Sequence, residues 1–167
     1  PRAHDELSPG RIVPFSGPTT PALPTALTLG RLPMSLTQSL HRAGQQHPDR
    51  LATVFRDRRQ SWRSLQDRVA RLAGALKALG LGAGERVAIL ALNSDRYAEC
   101  ILGTWWAGGV VNPVNTRWSL AEIAYSVNDS ESTILVVDDT FAVHAGKLGV
   151  ACPGIRHVLN IGEAGGA

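Results

Sequence analysis

The chain is short of the residues that carry most chemistry. Of its 17 basic residues only Lys77 and Lys147 are lysines, and its five histidines (His4, His41, His47, His144, His157) are scattered, with no carboxylate or hydroxyl at a recognisable catalytic spacing. We read the histidines as surface or capping residues. The two cysteines, Cys100 and Cys152, show no CxxC spacing and cannot hold a metal by themselves. Cys100 lies among apolar residues in a helical pattern, which makes it a buried, inert thiol and fits a reducing cytosol. No run of 18 apolar residues occurs, so a transmembrane helix is excluded on sequence grounds. The net charge of +3 is small, and aromatic residues make up only 5% of the chain. Seven arginines fall between Arg50 and Arg71, but Asp57 and Asp67 interrupt them and no aromatic platform alternates with them. That pattern describes a solvated helix and hairpin face and not a nucleic-acid surface.

A chain of 167 residues with 44% hydrophobic content forms one domain, long enough to bury about two-thirds of its unfolded surface. Residues 1–33 differ in kind from the rest. They hold seven of the ten prolines, mixed with Ser, Thr and Gly, and no helical or strand period persists. We expect a disordered or extraneous extension there, either a flexible leader or a segment upstream of a natural start at Met34. Asp5 and Glu6 follow Arg2 and no adequate apolar core appears, which argues against a signal peptide. The folded unit is expected over 34–167.

Ser35 is placed to cap a short helix through Gln46, closed by His47-Pro48-Asp49. Leu51 to Phe55 and Gln60 to Trp62 flank a tight turn at Asp57-Arg58, a hairpin without the glycine such turns prefer. Ser61 or Ser64 then caps a helix whose apolar stripe is Leu65, Val69, Leu72, Leu76 and Leu79. Gly80 to Gly84 invites a phosphate-loop reading, but such a loop leaves a strand and opens a helix. Here the glycines end a helix and lead into the strand Val87 to Leu92, so a C-cap and turn is the reading. Asn93-Ser94-Asp95 supplies caps for a helix through Ala107, with Tyr97, Ile101, Leu102, Trp105 and Trp106 as its apolar surface. The two tryptophans are read as core, with an acyl pocket as the other use.

The junction Ala107 to Glu122 (AGGVVNPVNTRWSLAE) is punctuated at each joint. Gly108 and Gly109 are both expected at positive φ, Val110 and Val111 form a short buried strand, and Pro113 ends it. Ser119 and Glu122 have capping-box spacing. Ile134 to Val137 is a further apolar strand, ended by Asp138-Asp139, and His157 to Ile161 a weaker one. The aspartate pair is read as a strand terminus and cap, with a magnesium site as the alternative. Unbroken apolar strands alternating with helices predict an α/β fold with a mostly parallel sheet covered on both faces.

Arg86 to Asn93 (RVAILALN) and the GGVVNPVNTRWS-AE junction resemble the N-terminal part of AMP-forming acyl-CoA synthetases, in the adenylate-forming superfamily that includes luciferases and amino-acid adenylation domains. The likeness runs from about Leu36 to Asp139, and the junction is closest to fatty-acyl-CoA ligases. The resemblance implies the N-terminal part of that family's large domain, plus the hairpin. It implies ATP, Mg and CoA as cofactors of a full-length enzyme, a fatty acid or other carboxylic acid as substrate, the remainder of the ligase chain as partner, and possible homodimers. The family's Ser/Thr/Gly-rich phosphate loop, acidic nucleotide motif and C-terminal lysine have no counterpart in this sequence. Lys77 lies on an amphipathic helix and Lys147 follows a weak one, so neither matches that lysine's setting. No catalytic or metal residue is therefore assigned, cofactor-binding residues are left unknown, and the chain alone is expected to be inactive. A non-catalytic interaction domain and a small α/β ligand-binding domain remain alternatives.

Overall fold

In the computed structural model, which describes residues 36–162, the first element is α1 (Gln38–Gln46). The expectations for residues 1–33 lie outside the described residues, as does Ser35. The helix begins at Gln38, so the N-cap position belongs to Thr37 and not to Ser35.

β1 (Leu51–Phe55) pairs antiparallel with β2 (Arg58–Ser61) around Arg56 and Asp57, one residue earlier than expected. Arg56 takes the left-handed conformation at φ 56°, which a glycine would have supplied without strain. Trp62, expected in the strand, opens α2 (Trp62–Ala78). The cap is Ser61, whose hydroxyl accepts the Ser64 N–H. The helix buries Leu65, Val69, Ala73 and Leu76 and ends in a Schellman motif. Gly80, at φ 85°, donates to the Lys77 carbonyl while Leu81 donates to that of Leu76. The glycine cluster is thus a helix terminus leading into β3 (Arg86–Leu90).

Ser94 caps α3 (Asp95–Ala107) by accepting the Tyr97 N–H, and Gly108 ends it at φ 91°. Gly109 departs from expectation, because its φ is not in the left-handed region. What it requires is space: a Cβ there would stand 2.9 Å from Leu81 Cδ2 and 3.2 Å from the Glu85 carbonyl oxygen. β4 (Val110–Pro113) follows, and Ser119 and Glu122 form the expected capping box on α4 (Leu120–Asp129). Then come β5 (Ser132–Val137), a 3-10 turn at Ala142–His144, α5 (Ala145–Ala151) and β6 (His157–Asn160). Lys147 lies inside α5 and not beyond it.

The sheet order is β4-β3-β5-β6, parallel throughout. Side chains of β3 and β5 alternate between two cores, as the pleat demands. Val87, Ile89, Ile134 and Val136 pack with α2 and α3, while Ala88, Leu90, Leu135 and Val137 pack with α4 and α5. Each fully buried Val, Leu or Ile among these contributes about 1.5–3 kcal/mol. β4, expected to be buried, is an edge strand of the described sheet, with Val110 48% exposed. An edge tolerates Pro113, which has no N–H to donate.

The buried face of α3 also differs from the expected one. It consists of Asp95, Glu99, Cys100, Gly103, Thr104 and Ala107. The small residues let α2 approach so closely that a Cβ on Gly103 would stand 2.9 Å from Leu72. Trp106 is half-buried beside the core and meets His41 edge to face at 4.2 Å, and Trp105 is half-buried.

Candidate functional site

From β3 the chain moves to β4 on one side, then crosses to β5 on the other, so the winding reverses between β3 and β5. In open α/β sheets the crevice beyond the carboxyl ends of the strands at such a reversal is where ligands sit. The residues that reach it are Leu92 to Ser94 after β3 and Asp138 to Thr140 after β5. They line a cleft of about 240 Å³ with the hairpin residues Phe55, Arg56 and Arg58 on one wall.

Asp138 closes the base of this cleft. Its Oδ2 accepts the Leu92 N–H at 2.8 Å, tying the end of β3 to that of β5, and its Oδ1 accepts the N–H groups of Thr140 and Phe141 at 3.0 and 3.2 Å. Both oxygens serve backbone amides, so the carboxylate acts as a clip across the reversal and no metal role is assigned to it. Asp139 accepts from the Asn160 side chain at 3.1 Å, joining the ends of β5 and β6.

One wall of the cleft rests on a buried ionic cluster. Asp95 and Glu99, each 5% exposed, lie four residues apart on one face of α3. Arg58 of the hairpin binds Asp95 through Nε at 2.9 Å and Nη2 at 2.7 Å. Arg68 of α2 binds Glu99 through Nε at 2.7 Å and Nη2 at 2.8 Å. Gln60 spans the two, donating to Glu99 at 2.8 Å and Asp95 at 3.3 Å. The Arg58 hydrogen bonds hold the Asp95 carboxyl below the usual carboxylate range despite burial, and the Glu99 carboxylate pushes the Arg68 guanidinium upward. Two of the seven arginines between Arg50 and Arg71 are therefore ion-pair partners of buried acids, and the run is not simply a solvated face. Asp95, expected as a cap, is the hairpin's anchor, and the capping falls to Ser94.

Beside this cluster, burial pushes the Cys100 thiol up to about 12, which keeps it protonated and unreactive. Lys77 and Lys147 are exposed on separate helices, and the structure does not bring either to the cleft. Among the described residues no helix is long and apolar enough to cross a membrane. Arg58, Gln60, Arg68 and Glu99 were not singled out by sequence. The available signal was a pair of acids at i, i+4 on a helix rich in apolar residues, downstream of a run rich in arginine.

Comparison with known proteins bears on the whole unit. Residues 40–162 match the AMP-binding enzyme family. The 4-hydroxybutyrate–CoA ligase 2 of Metallosphaera sedula is 35% identical over 102 residues, 61% of this chain and 19% of that protein. A peroxisomal acetate/butyrate–CoA ligase of Arabidopsis thaliana is 36% identical over 124 residues, 74% of this chain and 21% of that protein. The ATP-bound structure of MatB from Rhodopseudomonas palustris superposes with a TM-score of 0.66 at 30% identity, covering 75% of this chain and 25% of the other. The chain thus spans about a fifth of the length of the curated relatives it matches. It belongs to the family of AMP-binding enzymes.

Proposed function

We propose that this chain is part of an ATP-dependent acid–thiol ligase acting on an aliphatic carboxylate, a fatty acid. The observation that carries the reading is the family match over residues 40–162, among relatives named as ligases of carboxylic acids, aliphatic ones such as 4-hydroxybutyrate and butyrate beside aromatic ones such as benzoate. In that reaction a carboxylate oxygen attacks the α-phosphorus of ATP, the α–β anhydride bond breaks, and pyrophosphate leaves. The sulfur of CoA then attacks the acyl carbon, and AMP departs with the electron pair of the acyl–oxygen bond. Magnesium, when bound, neutralises charge on the leaving pyrophosphate.

The residues described here would serve as scaffold. The Asp138 clip and the Asp95–Glu99 cluster fix the strand ends and hairpin around the cleft, and we assign no catalytic residue. In this reading the chain alone is inactive, because Gly80 to Gly84 closes a helix where phosphate binding needs a helix opening, and neither lysine faces a cleft. Two buried free thiols suit a reducing compartment such as the cytosol.

The test is to incubate a longer protein containing this chain with ATP, CoA and butyrate or longer fatty acids, and to assay thioester by mass spectrometry beside the chain alone. Thioester from the longer protein and none from the chain is expected. No turnover of any carboxylate by the longer protein would overturn the reading.

A further inference from the structure

α4 carries two stripes with apolar residues. One sends Ile123 and Val127 into the core on its side of the sheet. The other faces away: Trp118, just ahead of the Ser119 cap, is followed by Ala121, Glu122, Tyr125, Ser126 and Asp129 at the three- and four-residue spacing of one helical face, and these six line a cavity of about 580 Å³. Tyr125 is 71% exposed and Trp118 40%, so two large rings stand in water on one stripe, with the small Ala121 between them. Asn112 of β4 fixes how the helix is turned, since its Nδ2 donates to the Ser126 carbonyl at 3.3 Å and to Ser130 Oγ at 2.8 Å. The stripe is thereby held outward in a set orientation.

The charge on this stripe has one sign. Glu122 gives one oxygen to the capping box, accepting the Ser119 N–H at 2.8 Å and its hydroxyl at 2.7 Å. Neither Glu122 nor Asp129 has an ion-pair partner among the described residues, and among those residues no arginine, lysine or histidine lines the cavity. Carboxylates beside the electron-rich faces of Trp and Tyr attract guanidinium and ammonium groups, whose apolar stems pack on the rings. A second copy of the stripe would set carboxylate against carboxylate, and nucleic acid or an anionic membrane would be repelled in the same way. A segment of the same chain would have to cross the sheet to reach it: Leu40 of α1 packs on α2, and Arg96 of α3 donates to the carbonyls of Ile161 and Gly162, both on the other face. α4 is about 15 Å long, well short of what a permanent interface covers, so the contact suited to it is a transient one.

We propose that the outer face of α4 is a docking surface for a basic amphipathic helix of another protein, whose apolar residues seat between Trp118 and Tyr125 while its arginines or lysines meet Glu122 and Asp129. The inference stands on the shape and charge of this face and does not rest on the ligase reading.

Fluorescence anisotropy tests it, with the chain titrated into a labelled helical peptide of about 15 residues that carries leucine on one stripe and arginine on either side of it. A peptide of the same pattern with glutamate in place of arginine is the control. Saturable binding of the arginine peptide that weakens as salt rises is expected, with the glutamate peptide bound at least about tenfold more weakly. Tyr125→Ala and Asp129→Asn, both at exposed positions, should each weaken binding by about two- to fivefold. Asp67→Asn, the same charge change placed on α2, should leave it unchanged. Absence of saturable binding, equal binding of the two peptides, or equal losses in all three variants would overturn the proposal. So would self-association of the chain that Tyr125→Ala abolishes, which makes a second copy the occupant, or failure of a longer protein containing this chain to bind the peptide, which makes its own remainder the occupant.

Discussion

Arg68 grips Glu99 with two guanidinium nitrogens, at 2.7 and 2.8 Å, across the α2–α3 interface, and Glu99 is only 5% exposed. One helical turn earlier, Asp95 receives Arg58 from the hairpin in the same two-point manner. Two acids on a single helix face thereby set the position of two separate elements. Bidentate pairing fixes orientation as well as distance.

Arg68→Ala should destabilise the fold, since it leaves a buried carboxylate with Gln60 as its remaining side-chain partner. Removing one member of a buried pair costs roughly 3–5 kcal/mol, and because the Arg68 side chain is 44% exposed, about 2–3 kcal/mol is expected here. The double substitution Arg68→Leu with Glu99→Leu should cost less than Arg68→Ala alone, because no charge is stranded. Urea unfolding measures both; a single-variant loss under about 0.5 kcal/mol would mean that water replaces the arginine freely.

Acid should loosen the hairpin through Asp95. Its folded pKa is depressed, so its contribution is present above the unfolded carboxylate pKa of about 3.9 and is lost as pH falls through the lower folded value. Glu85 and Glu122, held down chiefly by the Gly82 N–H and by Ser119, contribute with the same sign. Asp95→Asn should flatten the stability profile between about pH 5 and pH 2 relative to the parent chain. Parallel profiles would contradict the assignment.

Adjacent glycines should fail for different reasons. Gly108 is left-handed, and a Cβ there would meet nothing closer than Ala83 Cα at 4.0 Å. Gly108→Ala should cost about 1–2 kcal/mol and Gly108→Asn less, since Asn tolerates that conformation. Gly109 has ordinary angles and no room, so Gly109→Ala should cost about 1–3 kcal/mol, with Gly109→Asn at least as harmful. Thermal melts of the four variants decide this. Rescue by Asn at 109 would return the left-handed conformation to that position.

The elements legible in the sequence were those written in local rules. Ser119 and Glu122 form their capping box, Gly80 its Schellman turn, and the unbroken β5 run its place in a covered parallel sheet. What the sequence hid depends on neighbours distant in the chain. Whether β4 is central or at the edge depends on which strand pairs beside it, and Val110 and Val111 read alike in either place. Gly109 is small because Leu81 and Glu85 come close, and no local pattern announces that. Arg58 and Arg68 looked solvated because their acids lie 37 and 31 residues away.

Asp138 should behave as a clip and not as a metal ligand. Asp138→Ala removes the acceptor for the Leu92, Thr140 and Phe141 N–H groups and should cost about 1–2 kcal/mol, the magnitude of a lost cap. Millimolar magnesium should leave the melting temperature of the parent chain unchanged. A magnesium-dependent rise that Asp138→Ala abolishes would reinstate the metal reading.

Exchange of labelled pyrophosphate into ATP is the direct measurement of the proposed adenylation of a carboxylate by the protein that contains this chain. Adenylation is reversible, so label enters ATP only when the pocket accepts the acid supplied. Exchange is expected from the longer protein with butyrate or longer fatty acids, and none without an acid. Exchange confined to aryl or amino acids would contradict the substrate class, and no exchange with any carboxylate would contradict the enzymatic reading itself.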